Sequence, residues 1–331
     1  MILKTKKDIL EVLGMPEEEF YKEVAPLAKM AREEQFGNAL RVTSMLGYTN
    51  ICKNMCLYCG MRAGNSCLER FRIEPDKVIE MGLDAADHGF GRIFLIAGED
   101  PKYSFSELVR IIRTLKERGM YVSLACGEFE KSQYEELASV GADEYVMKFE
   151  MSHADSFNRL NPSTNFEKRM KAVMNIKELG LKLASGNIVD WPGQSVDELA
   201  DDIMLMKELD ISWAPIIPYM PAIGTPLAAE KKRGSLLAIY KEIAVLRLMM
   251  PGVNITAQQP GEDLRKGLSD PEANIASINV GANVLFFDLL PDPLSQNFRV
   301  IDDRNISGTS HLYKIEKMGG FTLDTGKELV L

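Results

Sequence analysis

Cysteine and histidine are scarce in this chain, with five of the first and three of the second in 331 residues. So sparse and odd a cysteine count argues against a disulfide framework. The opening Met1-Ile-Leu-Lys-Thr-Lys-Lys7 also lacks the apolar core that a secretory signal needs. Long apolar runs are missing as well: Ile243-Ala-Val-Leu-Arg-Leu-Met-Met250 is interrupted by charge and ends at proline well short of a membrane span. No basic block is present. Lys and Arg number 39 against 48 Asp and Glu, and the net charge of −9 argues against a nucleic-acid surface. A Gly-x-Gly-x-x-Gly fingerprint, low-complexity tracts and clear linkers are likewise absent. What remains is 46% hydrophobic and 8% aromatic, the composition of a globular protein with a sizeable core.

Strand-like and helical patterns alternate along that core, which predicts βαβ units and a parallel sheet. Strands are expected at 41–48, 92–97, 120–126, 144–148, 182–188, 213–217, 253–257 and 282–286, with helices at 75–88, 106–117, 131–139, 166–179, 195–208 and 235–250. In 106–117 the apolar residues Leu108, Ile111, Ile112 and Leu115 recur at helical spacing. Eight such units predict an α/β fold of the (β/α)8, TIM-barrel type; a doubly wound open sheet is the alternative. The expected organisation is a helical region over 1–36, the barrel over 37–290 and a C-terminal extension over 291–331 with a helix near 311–318. Residues 260–278 read as a loop or short helix over the barrel mouth.

Three of the five cysteines crowd into eight residues directly after the first strand: Cys52-Lys-Asn-Met-Cys56-Leu-Tyr-Cys59. Thiolates ligate iron–sulfur clusters, and three of them on a four-iron cluster leave one iron open for a ligand. Zinc is the rival reading, but a Cys3His site needs a nearby histidine, and His88, His153 and His311 lie outside this loop. Reduced thiols in such a site lead to the expectation of a cytoplasmic protein. Cys67 and Cys126 are expected to be buried and structural. Other chemistry-bearing groups sit where a barrel places its site, at strand ends: Gly98-Glu-Asp-Pro101 after strand two, Gly127-Glu128 after strand three and Glu150 after strand four.

The cysteine spacing, with Tyr58 just before the last cysteine, resembles the radical S-adenosylmethionine (SAM) superfamily. Cys-x-Asn-x-Cys-Leu-Tyr-Cys-Gly, Gly98-Glu-Asp-Pro101, Gly127-Glu128, Phe166-Glu-x-Arg169, Pro192-Gly-Gln194, Gly224-Thr-Pro-Leu227 and Gly281-Ala-Asn283 are similar to one subgroup of it. That subgroup contains the [FeFe]-hydrogenase maturase HydE, methylornithine synthase and, more distantly, biotin synthase. The similarity spans roughly residues 30 to 290, with 251–290 resembling the biotin and thiamin synthesis associated region. The resemblance implies a [4Fe–4S] cluster on Cys52, Cys56 and Cys59, SAM on the fourth iron, an electron donor such as flavodoxin or ferredoxin, and a small-molecule substrate. It also implies Tyr58 beside the adenine, Gly98, Glu99 and Asp100 at the SAM amino group, Glu128 near the ribose or amino end, Glu150 near the ribose and Arg169 on the methionine carboxylate. The residue types fit that ligand: an ammonium, a carboxylate and a diol need acids and a two-pronged guanidinium.

Elsewhere the chain departs from the subgroup. Phe94 and Pro215 stand where methylornithine synthase places an acid and an arginine. Gln258-Gln259 replaces a HydE threonine pair, and Lys148-Phe149-Glu150 replaces its arginine-histidine-glutamate run. No cysteine follows Cys126, so no auxiliary cluster of the HydE type is expected. Asp190 with Trp191, Tyr219, Met220, Gln258 and Gln259 are candidate substrate contacts. The reading is hydrogen abstraction or radical addition on a small amino acid, thiol or thioether. Its alternatives are a HydE-like maturase, a methylornithine synthase-like mutase and a non-catalytic metal-binding barrel.

Overall fold

Eight stretches rich in β-branched, aromatic and aliphatic residues form parallel strands, numbered here in barrel order: Ala39–Thr49, Arg92–Ala97, Tyr121–Ala125, Glu144–Val146, Lys182–Ala184, Trp213–Ala214, Asn254–Ile255 and Val284–Asp288. The computed structural model describes residues 3–230, 232–292, 294–301 and 308–327. Each strand pairs with the next in chain order, and Arg41–Met45 of the first pairs with Val284–Asp288 of the eighth. A parallel bridge from Thr256 to Val284 joins the seventh strand to the eighth and closes the ring. The alternation thus produces the expected (β/α)8 barrel.

Helix Phe105–Glu117 shows why the outer layer forms. Ser104 caps it by accepting from Glu107 N, and Leu108, Ile111, Ile112 and Leu115 are all buried against the sheet. Burial of each such aliphatic side chain contributes about 1.5–3 kcal/mol. Strand parity sorts the rest. Tyr145, Met147 and Phe149 join the core between sheet and helices, whereas Val146 faces the barrel axis with Met45, Phe94, Ala184, Trp213, Val284 and Phe286. Phe94, Trp213 and Phe286 meet with ring centroids 5.2 to 6.0 Å apart and fill the axis below the mouth.

Strands five and six are shorter than expected. Barrel pairing ends at Ala184 and Ala214; after Ser185-Gly186-Asn187 and Pro215, a separate two-stranded ladder joins Ile188–Val189 to Ile217–Pro218. Pro215 has no N–H to continue the first ladder, so the chain flares into an upper tier at the mouth. Helix Ala154–Leu160 after strand four was not expected, and 260–278 contains a 3-10 turn, Leu264–Ser269, followed by helix Pro271–Asn279. The C-terminal helix is present as Thr309–Gly319, and Thr322–Asp324 adds a further strand beside Ala39–Arg41. No helix among the described residues is long and apolar enough to cross a membrane.

Candidate active site

The cysteine loop has no regular secondary structure, so its shape depends on side chains reaching its carbonyls. Arg70 donates through Nη1 to Asn50 O and Met61 O at 2.7 and 2.8 Å, and through Nη2 to Arg62 O and Asn65 O at 2.6 and 3.0 Å. Asn65 Nδ2 donates to Gly60 O at 2.8 Å, and Asn50 Nδ2 to Glu69 O and Asn297 O, both at 2.7 Å. Gly60 N donates to Val300 O at 3.1 Å, so the C-terminal extension props the loop from outside. On the barrel side Gly98 fits because it is glycine: a Cβ there would lie 2.3 Å from Ile51 O and 2.9 Å from the Cys52 Cβ. Arg70, Asn50 and Asn65 have no cysteine-like spacing to betray them, and the sequence reading missed them.

Burial sets the chemistry of the thiols. It raises Cys52, pushes Cys56 up to about 12 with the neighbouring Cys52 adding, and lifts Cys59 further still. Arg169 pulls Cys56 down, while Glu150 and Glu99 push it up, so the cysteines, both glutamates and Arg169 share one electrostatic neighbourhood. Thiols placed this way keep their protons unless a positive centre displaces them. A multi-iron cluster supplies that charge, and three thiols on one braced loop fit it. Among the described residues, no three His, Cys, Asp or Glu side chains converge on a single ion; a four-iron cluster takes its thiolates on separate irons.

The acids have distinct surroundings. Glu99 Oε2 pairs with Lys53 at 3.1 Å and its Oε1 accepts from Glu128 N at 3.2 Å, passing Gly127, where a Cβ would come within 1.9 Å of Glu99 Cγ. Asp100 is fully engaged: Arg72 grips both oxygens at 2.7 Å, and Thr49 Oγ1 and Lys102 N donate at 3.1 and 3.0 Å. Burial would raise Asp100, but Arg72, Lys102 and Thr49 together outweigh it and hold the carboxyl low. Asp100 therefore fixes the turn after strand two and lines, with Gly98 and Glu99, the cavity beside it. A cavity of about 330 Å³ opens here, lined by Lys53, Gly98, Glu99, Cys126, Glu128 and Lys168 among others. A larger open trough of about 700 Å³ lies elsewhere, around Tyr21, Tyr240 and Arg233, and holds none of the cysteines.

Arg169 is buried and donates through Nε to Glu128 Oε1 at 2.7 Å and through Nη1 to Lys148 O. Burial lowers Arg169, yet Glu128, Tyr58 and Glu150 together more than compensate and its charge is secured. Nη2 makes no hydrogen bond among the described residues. Glu150, four residues past the end of strand four, has a φ of 61°, a left-handed conformation that a non-glycine residue adopts only under constraint. Its Oε2 lies 3.0 Å from Lys148 Nζ, an ion-pair contact without hydrogen-bond geometry. Tyr58 donates to Asn161 Oδ1 at 2.7 Å, which holds the ring against the mouth.

Several candidate substrate contacts are engaged elsewhere. The Asp190 carboxylate meets Lys232 Nζ at 2.7 Å and Ser235 N at 2.9 Å. Trp191 and Tyr219 pack together in a buried cluster with Met151, Phe157 and Leu227, and Met220 packs on Leu268 and Ile301. Gln259 Nε2 donates to Ile216 O and Thr256 O. Gln258 alternates with the outward Ala257, so it faces the axis, where its Oε1 accepts from Phe286 N at 2.7 Å. Lys148, two residues beyond the inward Val146, faces the same way and was not singled out from sequence. Of the remaining cysteines, Cys126 is buried as expected, but Cys67 is exposed on the loop outside the barrel wall, so burial gives it no structural role.

Residues 46–206 match the family model for the radical SAM superfamily. The [FeFe] hydrogenase maturase subunit HydE of Thermotoga maritima is 32% identical over 296 residues, covering 89% of this chain and 83% of the relative. Biotin synthase of Acinetobacter baylyi is 28% identical over 286 residues, 83% of this chain and 84% of the relative. A crystal structure of methylornithine synthase has the same fold, with a TM-score of 0.80 at 24% identity, covering 95% of this chain and 93% of that one. The chain belongs to the radical SAM superfamily, in the subgroup of HydE, methylornithine synthase and biotin synthase, and is an enzyme that uses a [4Fe–4S] cluster and SAM.

Proposed function

We propose that the substrate is a small amino acid, thiol or thioether that carries an anionic group, and that Lys148 receives it. The observation that carries this reading is the Lys148–Glu150 pair just past the end of strand four. Lys148 faces the axis above the apolar Val146, and its side chain is 19% exposed, with Glu150 as its one ion-pair partner among the described residues. An ammonium in so apolar a chamber needs an anion beside it. Once Glu150 turns to a ribose diol, a substrate carboxylate can take its place. Gln258 faces the same axis, bonded to Phe286 N, and Phe94 and Phe286 close the floor, which favours a compact molecule.

Cys52, Cys56 and Cys59 would hold the cluster; Arg169 Nη2 and Glu99 suit the carboxylate and ammonium of SAM, and Glu150 its ribose. When bound, cluster and SAM together supply a 5′-deoxyadenosyl radical. The residues of this chain orient the two ligands and keep water from them. A reducing cytoplasm, with flavodoxin or ferredoxin as electron source, suits the thiols.

Anaerobic reconstitution with iron and sulfide tests the reading. Reductant-dependent 5′-deoxyadenosine should form, and a panel of small amino acids and carboxylated thioethers should include one whose deuterium appears in it. Transfer from uncharged analogues alone would sink the anionic assignment. The second reading, hydrogenase cofactor maturation, is favoured by the 32% identity to HydE. Rescue of a maturation assay lacking HydE would establish it.

A further inference from the structure

Behind the mouth, on the outer side of strands four to six, lies a group of buried acids that the reaction does not use. Asp202, on helix Val196–Glu208, is 0% exposed. Its Oδ1 accepts from Ser152 N at 2.7 Å, and its Oδ2 from Asn187 Nδ2 at 3.1 Å and Gln194 Nε2 at 2.9 Å. Glu242, on helix Leu236–Met249, is also 0% exposed, and neither of its oxygens has a hydrogen-bond partner in the ionised form. It stands beside Asn187 and Asp202, with Lys148 and Glu198 the other charged neighbours of the group. Asn187 Oδ1 is a further buried acceptor without a donor. An ionised Glu242 with no donor of its own, packed beside the Asp202 carboxyl and a bare amide oxygen, is not a stable arrangement; one proton removes a charge and supplies a donor.

We propose that Glu242 is a neutral carboxylic acid, and that Glu242, Asn187 and Asp202 form a hydrogen-bonded brace that positions Glu150 for the cofactor. The brace acts through the backbone. Glu150 N donates to Gly186 O at 3.0 Å and Glu150 O accepts from Ile188 N at 3.1 Å, so the segment centred on Asn187 grips it on both sides. Asp202 anchors that segment through Asn187 and also holds Ser152, two residues beyond Glu150. Through Gln194, whose Oε1 accepts from Asp190 N, the same carboxyl group reaches a second strained position. Glu150 and Asp190, with φ of 61° and 53°, are two of three non-glycine residues with positive φ among the described residues. Backbone of this kind persists where its surroundings over-determine it. The positioning role rests on reading Glu150 as a cofactor contact; the protonation of Glu242 does not.

Infrared spectroscopy of the protein without cluster or SAM, recorded at about pH 9 where Asp202 has released its proton, tests the protonation: the wild type should show the carbonyl band of a protonated carboxyl group, and Glu242→Gln should lack it. Identical spectra would overturn the neutral acid. Glu242→Gln keeps a donor without charge, so its melting temperature should stay near that of the wild type and its affinity for SAM within about twofold; a larger loss would count against the proposal. Asn187→Ala should retain the wild-type iron content after reconstitution, because the cysteine loop is braced separately, yet bind SAM about tenfold or more weakly. Unchanged affinity would remove the positioning role. A wild-type protein that binds no SAM would overturn the cofactor reading, and that role with it, while the infrared band decides the protonation alone.

Discussion

Cys52, Cys56 and Cys59 form no disulfide, and Cys59 alone of the three packs against the main hydrophobic core. Their loop is fixed by Arg70, Asn50 and Asn65, which bond its backbone and, through Asn50 and Asn65, tie it to Asn297 and Ile223. Replacing any one cysteine with alanine should therefore leave the far-ultraviolet circular dichroism unchanged while iron per chain and 5′-deoxyadenosine formation collapse; retained iron would contradict the ligand assignment. The pair of Glu128 and Arg169 behaves differently, since both side chains are at least nine-tenths buried. Glu128→Ala leaves an uncompensated guanidinium, which costs roughly 3–5 kcal/mol for a buried pair. Urea unfolding should show that loss, and a change below about 1 kcal/mol would mean that Arg169 has found another partner.

Between elements, contact distances govern. Strand two reaches the cysteine loop at Gly98, and the carbonyl of Ile51 that a Cβ would strike is backbone that cannot rotate aside. Gly98→Ala is expected to displace the loop, lowering iron incorporation on reconstitution well before the barrel itself is destabilised. Normal iron content in that variant would show that the loop tolerates the shift. Arg72 ties the antiparallel Thr49–Arg72 contact to Asp100, whose side chain is 1% exposed. Arg72→Ala should cost about 1.5–3 kcal/mol, the range for hydrogen bonds to a charged group, read as a shift in the unfolding midpoint.

For the molecule as a whole, Asp202 couples stability to pH. Burial raises its carboxyl to about 7, against the opposing bonds from Ser152 and Asn187. The folded state thus keeps a proton that the unfolded chain releases near pH 4. This group's contribution is complete below that pH and is lost as pH rises through about 7, with stability falling across the interval. Asp100 and Glu128 are held low and act oppositely, weakening the fold only as pH drops below their range. Urea midpoints of the wild type and Asp202→Asn, compared between about pH 5 and 8, isolate the first effect. The wild type should lose stability relative to the variant as pH rises, and parallel curves would refute the assignment.

The alternation of apolar periods was enough to read the barrel and the order of its strands, and the C-x3-C-x2-C spacing to single out the cysteine loop, because period and spacing are local properties of a chain. Strand ends likewise pointed to Glu99, Glu128 and Glu150 as candidates, since a barrel places its loops at one rim. The tertiary structure alone decided which polar groups are already satisfied. Asp100 meets Arg72 from 28 residues away, Asp190 meets Lys232 from 42, and Asn187 meets Asp202 across the sheet-to-helix gap. Such partnerships join segments that no local pattern connects. They pair the carboxylates of Asp100 and Asp190 with cations within the chain, and they bring Lys148 into the chamber beside Glu150, because what a charged side chain can do depends on what already neutralises it.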